Sequence, residues 1–403
     1  MKKLSFVFLL VTSLLQAQKI AGVQLFNPQT NDETPIISFN QQLILRFDDL
    51  TNSSQIYRYT IKHYDRNWQD DGLFFTEYAD GSLNALIDNF QYSFNTTQAY
   101  THYQLTFPNE KITPKISGNY EIIVYKDSAD KPLFKKRFAI YEEAANIGLQ
   151  MSRYQDAKKP DLRQRIEVQA VGSGTSVTNN INSISMSLMQ NNNWNTMITK
   201  QRPTSTLGNK MLFQQLGLAF PGNSEFYYFD NKILNQVYDM VANVGSENGQ
   251  NQTYLFPVWA YPETYQAYGD VNGAYYFRRN DLGIERDANK EADYSMVHFA
   301  LESLKMNKNI YVLGQFNDYK ADENSLMTYD EAKKMYVAKI YLKQGFYNYM
   351  LATKNEDGSL NFGEINGNFW QTENLYQSLL YYTPFGRNYD GLLGYGELRT
   401  PVR

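Results

Sequence analysis

The sequence predicts an all-β protein made of tandem β-sandwich domains. Three observations lead there. Aromatic residues make up 15% of the 403-residue chain, with 33 Tyr and 24 Phe, and such side chains suit half-buried strand positions. Short stretches alternate apolar and polar residues with period two. Turn clusters rich in Asn, Ser, Gly, Asp and Pro separate these stretches at sandwich-like spacing, and no long amphipathic helix competes with them.

The chain opens on Met1-Lys2-Lys3, followed by an apolar run from Leu4 to Leu15 and a small residue at Ala17. This is the order of a secretory leader, expected over residues 1–18. The run is shorter than the roughly 20 residues that cross a bilayer. No Cys follows it, so no lipoprotein anchor is expected.

A first sandwich is expected over residues 18–143. In Gln42–Asp48, Leu43, Leu45 and Phe47 face one way, with Gln42, Ile44, Arg46 and Asp48 opposite. In Ile56–Tyr64, Tyr57, Tyr59, Ile61 and His63 oppose Ile56, Arg58, Thr60 and Lys62. Asn119–Tyr125 and Leu133–Tyr141 complete the group. Ala144–Pro160 reads as a connector.

A middle β-rich domain is expected over residues 144–305, with strands at Arg165–Val171, Ile184–Gln190, Phe226–Phe229, Tyr254–Trp259, Ala274–Arg279 and Asp293–Leu301. Ser173–Asn182 is a polar loop. Asn280–Glu291 is highly charged without apolar period and is expected to be a mobile, solvent-facing loop. A third domain is expected over 306–403, with strands at Asn309–Phe316, Met335–Leu342, Phe346–Thr353 and Leu379–Tyr382, and a short helix at Asp330–Lys334.

Composition excludes several function classes. The chain has no Cys, which removes thiolate catalysis, thiolate metal sites and disulfides. Net charge is −4, and loss of Lys2 and Lys3 with the leader makes the mature chain more acidic. That balance gives no electrostatic reason to bind nucleic acid or an anionic membrane surface.

Catalytic motifs are missing too. The three histidines, His63, His102 and His298, have no metal-ligand spacing and no nucleophile elbow to serve. Asp48-Asp49 are strand neighbours pointing to opposite faces, so they suit a shared acid–base site poorly. Asp70-Asp71-Gly72 reads as a turn. Asp270-Val271-Asn272-Gly273 resembles half of a calcium loop, but the remaining acidic positions are absent, and a β-turn is expected. No catalytic residue, metal or cofactor is expected.

Gly314–Tyr319 follows a strand, and the succession through Tyr349 resembles immunoglobulin-like early-set sandwiches related to starch- and glycogen-binding modules. An aromatic follows the Asn-Asp corner there, a place held here by Tyr319. A glucan-binding envelope protein is the alternative reading that this resemblance implies.

A wider resemblance spans the mature chain. Leu45–Leu50, Ile61–Trp68, Phe94–Thr97, Tyr100–Tyr103, Ser117–Tyr120, Gln190–Trp194, Gly222–Phe226, Asp270–Gly273, Leu342–Tyr349 and Thr372–Tyr376 occur in an order that resembles the plug proteins of the bacterial type IX secretion system. His63-Tyr64 stands where that family commonly has His-Cys. The resemblance implies a periplasmic, non-enzymatic protein that binds and occludes the periplasmic opening of the outer-membrane translocon barrel. That barrel is the implied partner; no nucleic acid, membrane insertion or small-molecule ligand is expected. Contact residues are expected among Arg278 and Arg279, at the base of the charged loop, with Asn317, Tyr319 and Trp370.

Overall fold

The computed structural model describes residues 20–30, 34–154, 162–173 and 181–401. The leader expected at 1–18 lies outside the described residues, as do parts of the expected connector and of the polar loop. Among the described residues no helix is long and apolar enough to cross a membrane. The fold is all-β, as the sequence predicts: six larger sheets pack in pairs as three sandwiches.

The first sandwich sets a four-stranded sheet (Ile20–Phe26, Leu43–Asp49, Thr101–Phe107, Phe90–Tyr92) on a five-stranded one (Ile36–Ser38, Phe134–Tyr141, Gly118–Tyr125, Tyr57–Tyr64, Ala85–Ile87). Period-two alternation does what it predicts. Leu43, Leu45 and Phe47 from one sheet meet Tyr57, Tyr59, Ile61, Ile122 and Val124 from the other in a single core. The rings of Phe47 and Tyr103 stack at 5.1 Å, a geometry that adds to the area they bury.

The second sandwich begins where a connector was expected. Ala145–Arg153 is a strand that pairs with Arg163–Gly172 along its whole length, from Ala145↔Gly172 to Arg153↔Gln164. The alternation of Ala145, Ile147, Leu149 and Met151 with Asn146, Gly148, Gln150 and Ser152 carries that strand; the mixed small and polar residues conceal it. The opposing sheet orders Asn193–Gln201, Ile184–Gln190, Leu375–Tyr382 and Gly391–Arg399. The end of the chain thus returns to close the second sandwich.

The third sandwich lies between these two halves. One sheet orders Val241–Glu247, Gln250–Leu255, Tyr294–Glu302, Met335–Lys343 and Thr328–Asp330; the other centres on Gly345–Lys354. Tyr294–Glu302 and Met335–Lys343 pair over nine residues, with Val297 opposite Ile340. A cut at 305/306 therefore runs through one sheet, and Leu375–Tyr382 belongs to the middle sandwich. The expected boundary fails because pairing partners distant in sequence leave no local signal.

Two smaller expectations change. Asp330–Lys334 is a hairpin turn, not a helix: the Asp330 carboxylate accepts from the backbone N–H groups of Ala332 and Lys333 at 3.0 Å each, the bonding by which Asp favours turns. The charged loop is a small hairpin, Asn280–Asp281 with Ile284–Glu285, followed by a one-turn helix at Ala288–Glu291. Its charges pair within the segment: Asp281 with Arg279 and Arg286, and Glu285 with Arg278.

Candidate functional site

The polar chemistry of the molecule is concentrated where the sandwiches meet. Between the first and third, two strand ladders present facing pairs. Asp48 sits opposite His102 in one sheet, and Tyr294 sits opposite Lys343 in the other. All four side chains are buried. The Lys343 ammonium donates to Asp48 Oδ2 at 2.6 Å and to the Asn289 carbonyl at 3.1 Å. The Tyr294 hydroxyl donates to Asp48 Oδ2 at 2.7 Å. His102 Nδ1 lies 2.6 Å from Asp48 Oδ1.

Burial alone would raise the Asp48 carboxyl, but Lys343 and His102 outweigh it and hold the group below its ordinary range. Burial pushes Lys343 down against the pull of Asp48, and pushes His102 down in the same way. The result is one ionised carboxylate with its donors packed around it. Gly22 makes the approach possible. It sits at φ +59 in a bulged stretch of strand, and a Cβ there would come within 2.9 Å of the Tyr294 hydroxyl.

The charged loop completes this joint. The Tyr100 hydroxyl donates to the Ala292 carbonyl at 2.8 Å, and the backbone N–H groups of Thr97 and Gln98 donate to Asp293 at 2.5 and 2.9 Å. Arg279 donates to the carbonyls of Asn95 and Glu291 at 2.8 and 2.6 Å.

The first and second sandwiches meet through a mainly apolar seam. Ile36 and Ala139 of the first pack with Met189, Leu379, Tyr381 and Leu392 of the second. Trp68 and Trp194 meet edge to face at 5.0 Å, and the Tyr381 hydroxyl donates to Asn119 Oδ1 at 2.8 Å. Arg66 reaches across to Asp390, Thr383 and Ser185.

The second and third sandwiches are joined by two chain crossings tied to each other. Phe369 N–H donates to the Asn223 carbonyl at 2.7 Å, Asn374 Nδ2 to the Gly222 carbonyl at 2.9 Å, and Glu373 N–H to Glu225 Oε1 at 3.0 Å. Burial pushes the Glu225 carboxyl up to about 7 and the nearby Asp270 carboxyl up to about 6. Asp270 does form a turn, accepting from Asn272 N–H at 2.7 Å and Phe226 N–H at 2.6 Å. Among the described residues no group of acidic, His or Cys side chains is arranged to hold a metal ion.

The residues expected to touch a partner do not form one surface. Arg278 is partly exposed and pairs with Asp230 at 3.2 Å and Glu285 at 2.6 Å. Arg279 is tied down within the joint described above. Asn317 binds its own corner, accepting from Gly314 N–H at 3.0 Å and donating to the Val312 carbonyl at 2.9 Å. Tyr319 is only 4% exposed, and its hydroxyl donates to the Asn191 carbonyl at 3.1 Å. It links the second and third sandwiches and offers no stacking face to a sugar. The Trp370 ring lies 5.1 Å from the Arg153 guanidinium, and its carbonyl accepts from Gln164 at 2.7 Å.

Sequence reasoning missed the joint residues Asp48, His102, Lys343 and Tyr294. An acid at an outward strand position was visible; which sheet would cover it was not. It also missed the exposed apolar side chains: Leu282 at the hairpin tip is fully exposed, with Ile284 beside it, and Trp259 and Phe385 stand in solvent elsewhere.

These features define a class: an all-β scaffold of three sandwiches with buried ionisable groups at the joints between them. Residues 20–142, the first sandwich, match the family model described as the type 9 secretion system plug protein 1st domain. That stretch is similar to the first domain of the plug proteins, in line with the resemblance in the sequence. The match supports a structural role associated with the type 9 secretion system, an envelope-associated location, and interaction with a component of that system. No curated protein matches. Among solved structures, the chain is similar to a hypothetical protein from Parabacteroides merdae ATCC 43184, with a TM-score of 0.89 and 28% identity over 95% of this chain and 97% of that one. The whole three-sandwich arrangement therefore recurs in a crystal structure. A biofilm-associated protein BSP domain aligns with a TM-score of 0.17 and 9% identity, over 94% of this chain and 59% of that one, and has no bearing on the fold.

Proposed function

We propose that the protein is a non-enzymatic plug that binds and occludes the periplasmic opening of the type IX outer-membrane translocon barrel while no cargo is in transit. The observation that carries this reading is the plug-family first domain at residues 20–142. The physical need is plain: a barrel wide enough for folded cargo encloses an aqueous lumen that leaks when open. Three sandwiches cross-braced by buried joints suit a stiff stopper. Release on cargo arrival calls for a moderate, partly polar interface.

The contact surface proposed here includes the 278–285 hairpin, where Arg278 is partly exposed and Leu282 and Ile284 project beyond the ion pairs at its base. Arg279, Asn317 and Trp370 would act by holding nearby surface in place, and Tyr319 by holding two sandwiches together.

Two experiments test the reading. Deleting the gene is expected to let large antibiotics across the outer membrane while secretion largely persists; unchanged permeability in a clean deletion strain rejects it. Affinity purification of the tagged protein from gently solubilised envelopes is expected to bring down the barrel. Leu282→Ser is expected to weaken that recovery while changing stability by no more than about 0.5 kcal/mol.

A further inference from the structure

A cavity of about 250 Å³ opens where all three sandwiches meet. Phe26 and the run Lys135-Lys136-Arg137 come from the first, Asn192 and Trp194 from the second, and Asp318 from the third. Its wall is uneven in hydrogen-bonding capacity. Asn192 is 9% exposed. Its Oδ1 accepts from Gln377 Nε2 at 2.6 Å, while its own backbone N–H donates to Gln377 Oε1 at 3.0 Å. These two bonds fix the orientation of both amides, so the remaining atom of Asn192 is the Nδ2 donor. That donor is buried and has no partner among the described residues.

Two of the cations beside it have no close carboxylate, although the Arg137 guanidinium lies 4.5 Å from the Trp68 ring. Lys135 and Arg137 share Glu121 at 3.5 and 3.9 Å, and Glu121 also accepts from the Tyr64 hydroxyl at 2.7 Å. Only Lys136 is closely paired, with Asp318 at 2.5 Å. The buried unmatched atom in the wall is thus a donor, and the three cations Lys135, Lys136 and Arg137 face two carboxylates, Glu121 and Asp318. A buried donor left unmatched is destabilising, and the group that matches this wall is an anion with strong acceptors. Phe26, Leu25 and Trp194 supply an apolar side to the same space.

We infer that this junction cavity is a binding site for a carboxylate carried on a short apolar arm, with Asn192 Nδ2, Lys135 and Arg137 as donors to it. The inference stands apart from the plug reading, and it runs against the expectation of no small ligand. Because the walls come from three sandwiches, an occupant would also brace them against one another.

The carboxylate could belong to a free small molecule or to a peptide, and two probes separate these sources: glutarate and a blocked Ala-Glu-Ala tripeptide. Calorimetric titration of the full chain is expected to show saturable binding of at least one probe, weakened by salt. Glutarate binding alone assigns a free ligand; tighter tripeptide binding assigns a peptide-borne group. Asn192→Asp keeps the left-handed backbone preference and the acceptor to Gln377 but replaces the donor with a charged oxygen. Asn192→Asp is expected to weaken binding more than tenfold. Lys135→Gln, at a more exposed position, is expected to weaken it several-fold and guards against a folding failure in the first variant. Absence of saturable heat with both probes, or unchanged affinity in both variants with melting temperatures preserved, overturns the inference.

Discussion

The two joints that flank the first sandwich solve one problem with opposite chemistry. Toward the third sandwich, Asp48, His102, Tyr294 and Lys343 form a buried, charged knot. Toward the second, Leu379, Tyr381, Met189 and their neighbours form an extension of the hydrophobic core, with Arg66 and Asp390 on its flank. A charged knot fails abruptly, because removing one partner strands the other charge in a low-dielectric interior. An apolar seam fails by degrees, since each lost side chain takes only its own burial and leaves a partly collapsing cavity.

Lys343→Met is expected to have the largest effect, destabilising by about 3–5 kcal/mol as read from chemical denaturation. Adding Asp48→Asn is expected to recover most of that loss. If the double variant is as unstable as the single one, the cost lies in packing rather than in the stranded charge.

Leu379→Ala in the apolar seam is expected to cost about 2–5 kcal/mol through lost burial and a cavity. No second-site change of charge should repair it, which is the contrast with the knot. Tyr381→Phe removes only the hydrogen bond to Asn119 and is expected to cost about 0.5–1.5 kcal/mol. A value near that of Leu379→Ala would show that the seam depends on polar contacts after all.

The third joint, where the second and third sandwiches meet, differs from the other two in depending on pH. Burial raises Glu225 to about 7 from its ordinary 4.5 and Asp270 to about 6 from 3.8. Both folded values lie above the unfolded ones, so the folded state holds protons that the unfolded chain has released. The stability they contribute is fully present below the unfolded values and is lost as pH rises through the folded ones. The contribution of these two groups is therefore expected to decline between about pH 3.8 and about pH 7 and then level off. Glu225→Gln is expected to flatten about half of that decline, leaving the part due to Asp270. Denaturation midpoints across the range that are identical for wild type and variant would remove Glu225 as the cause.

Much of the architecture was legible along the chain. Leu43, Leu45 and Phe47, and Tyr57, Tyr59 and Ile61, fall inward where their alternation puts them, because a strand sends successive side chains to opposite faces. The Asn-Asp corner was visible as a turn, but the buried Tyr319 beside it was not. Ala145–Arg153 hid because its inward residues include Ala and its outward ones include Gly, so the contrast across the strand is weak.

The class of fold, the lack of thiol chemistry and the family likeness of residues 20–142 could be read along the chain, because composition, period and motif order are local properties. It took the assembled sandwiches to show that Leu375–Tyr382 closes the second of them, that residues 280–291 form a hairpin and a helical turn, and that Asp48 meets Lys343. Each of these depends on surfaces brought together from segments far apart, and the burial that makes a charge pair or an apolar contact matter exists only once those surfaces meet.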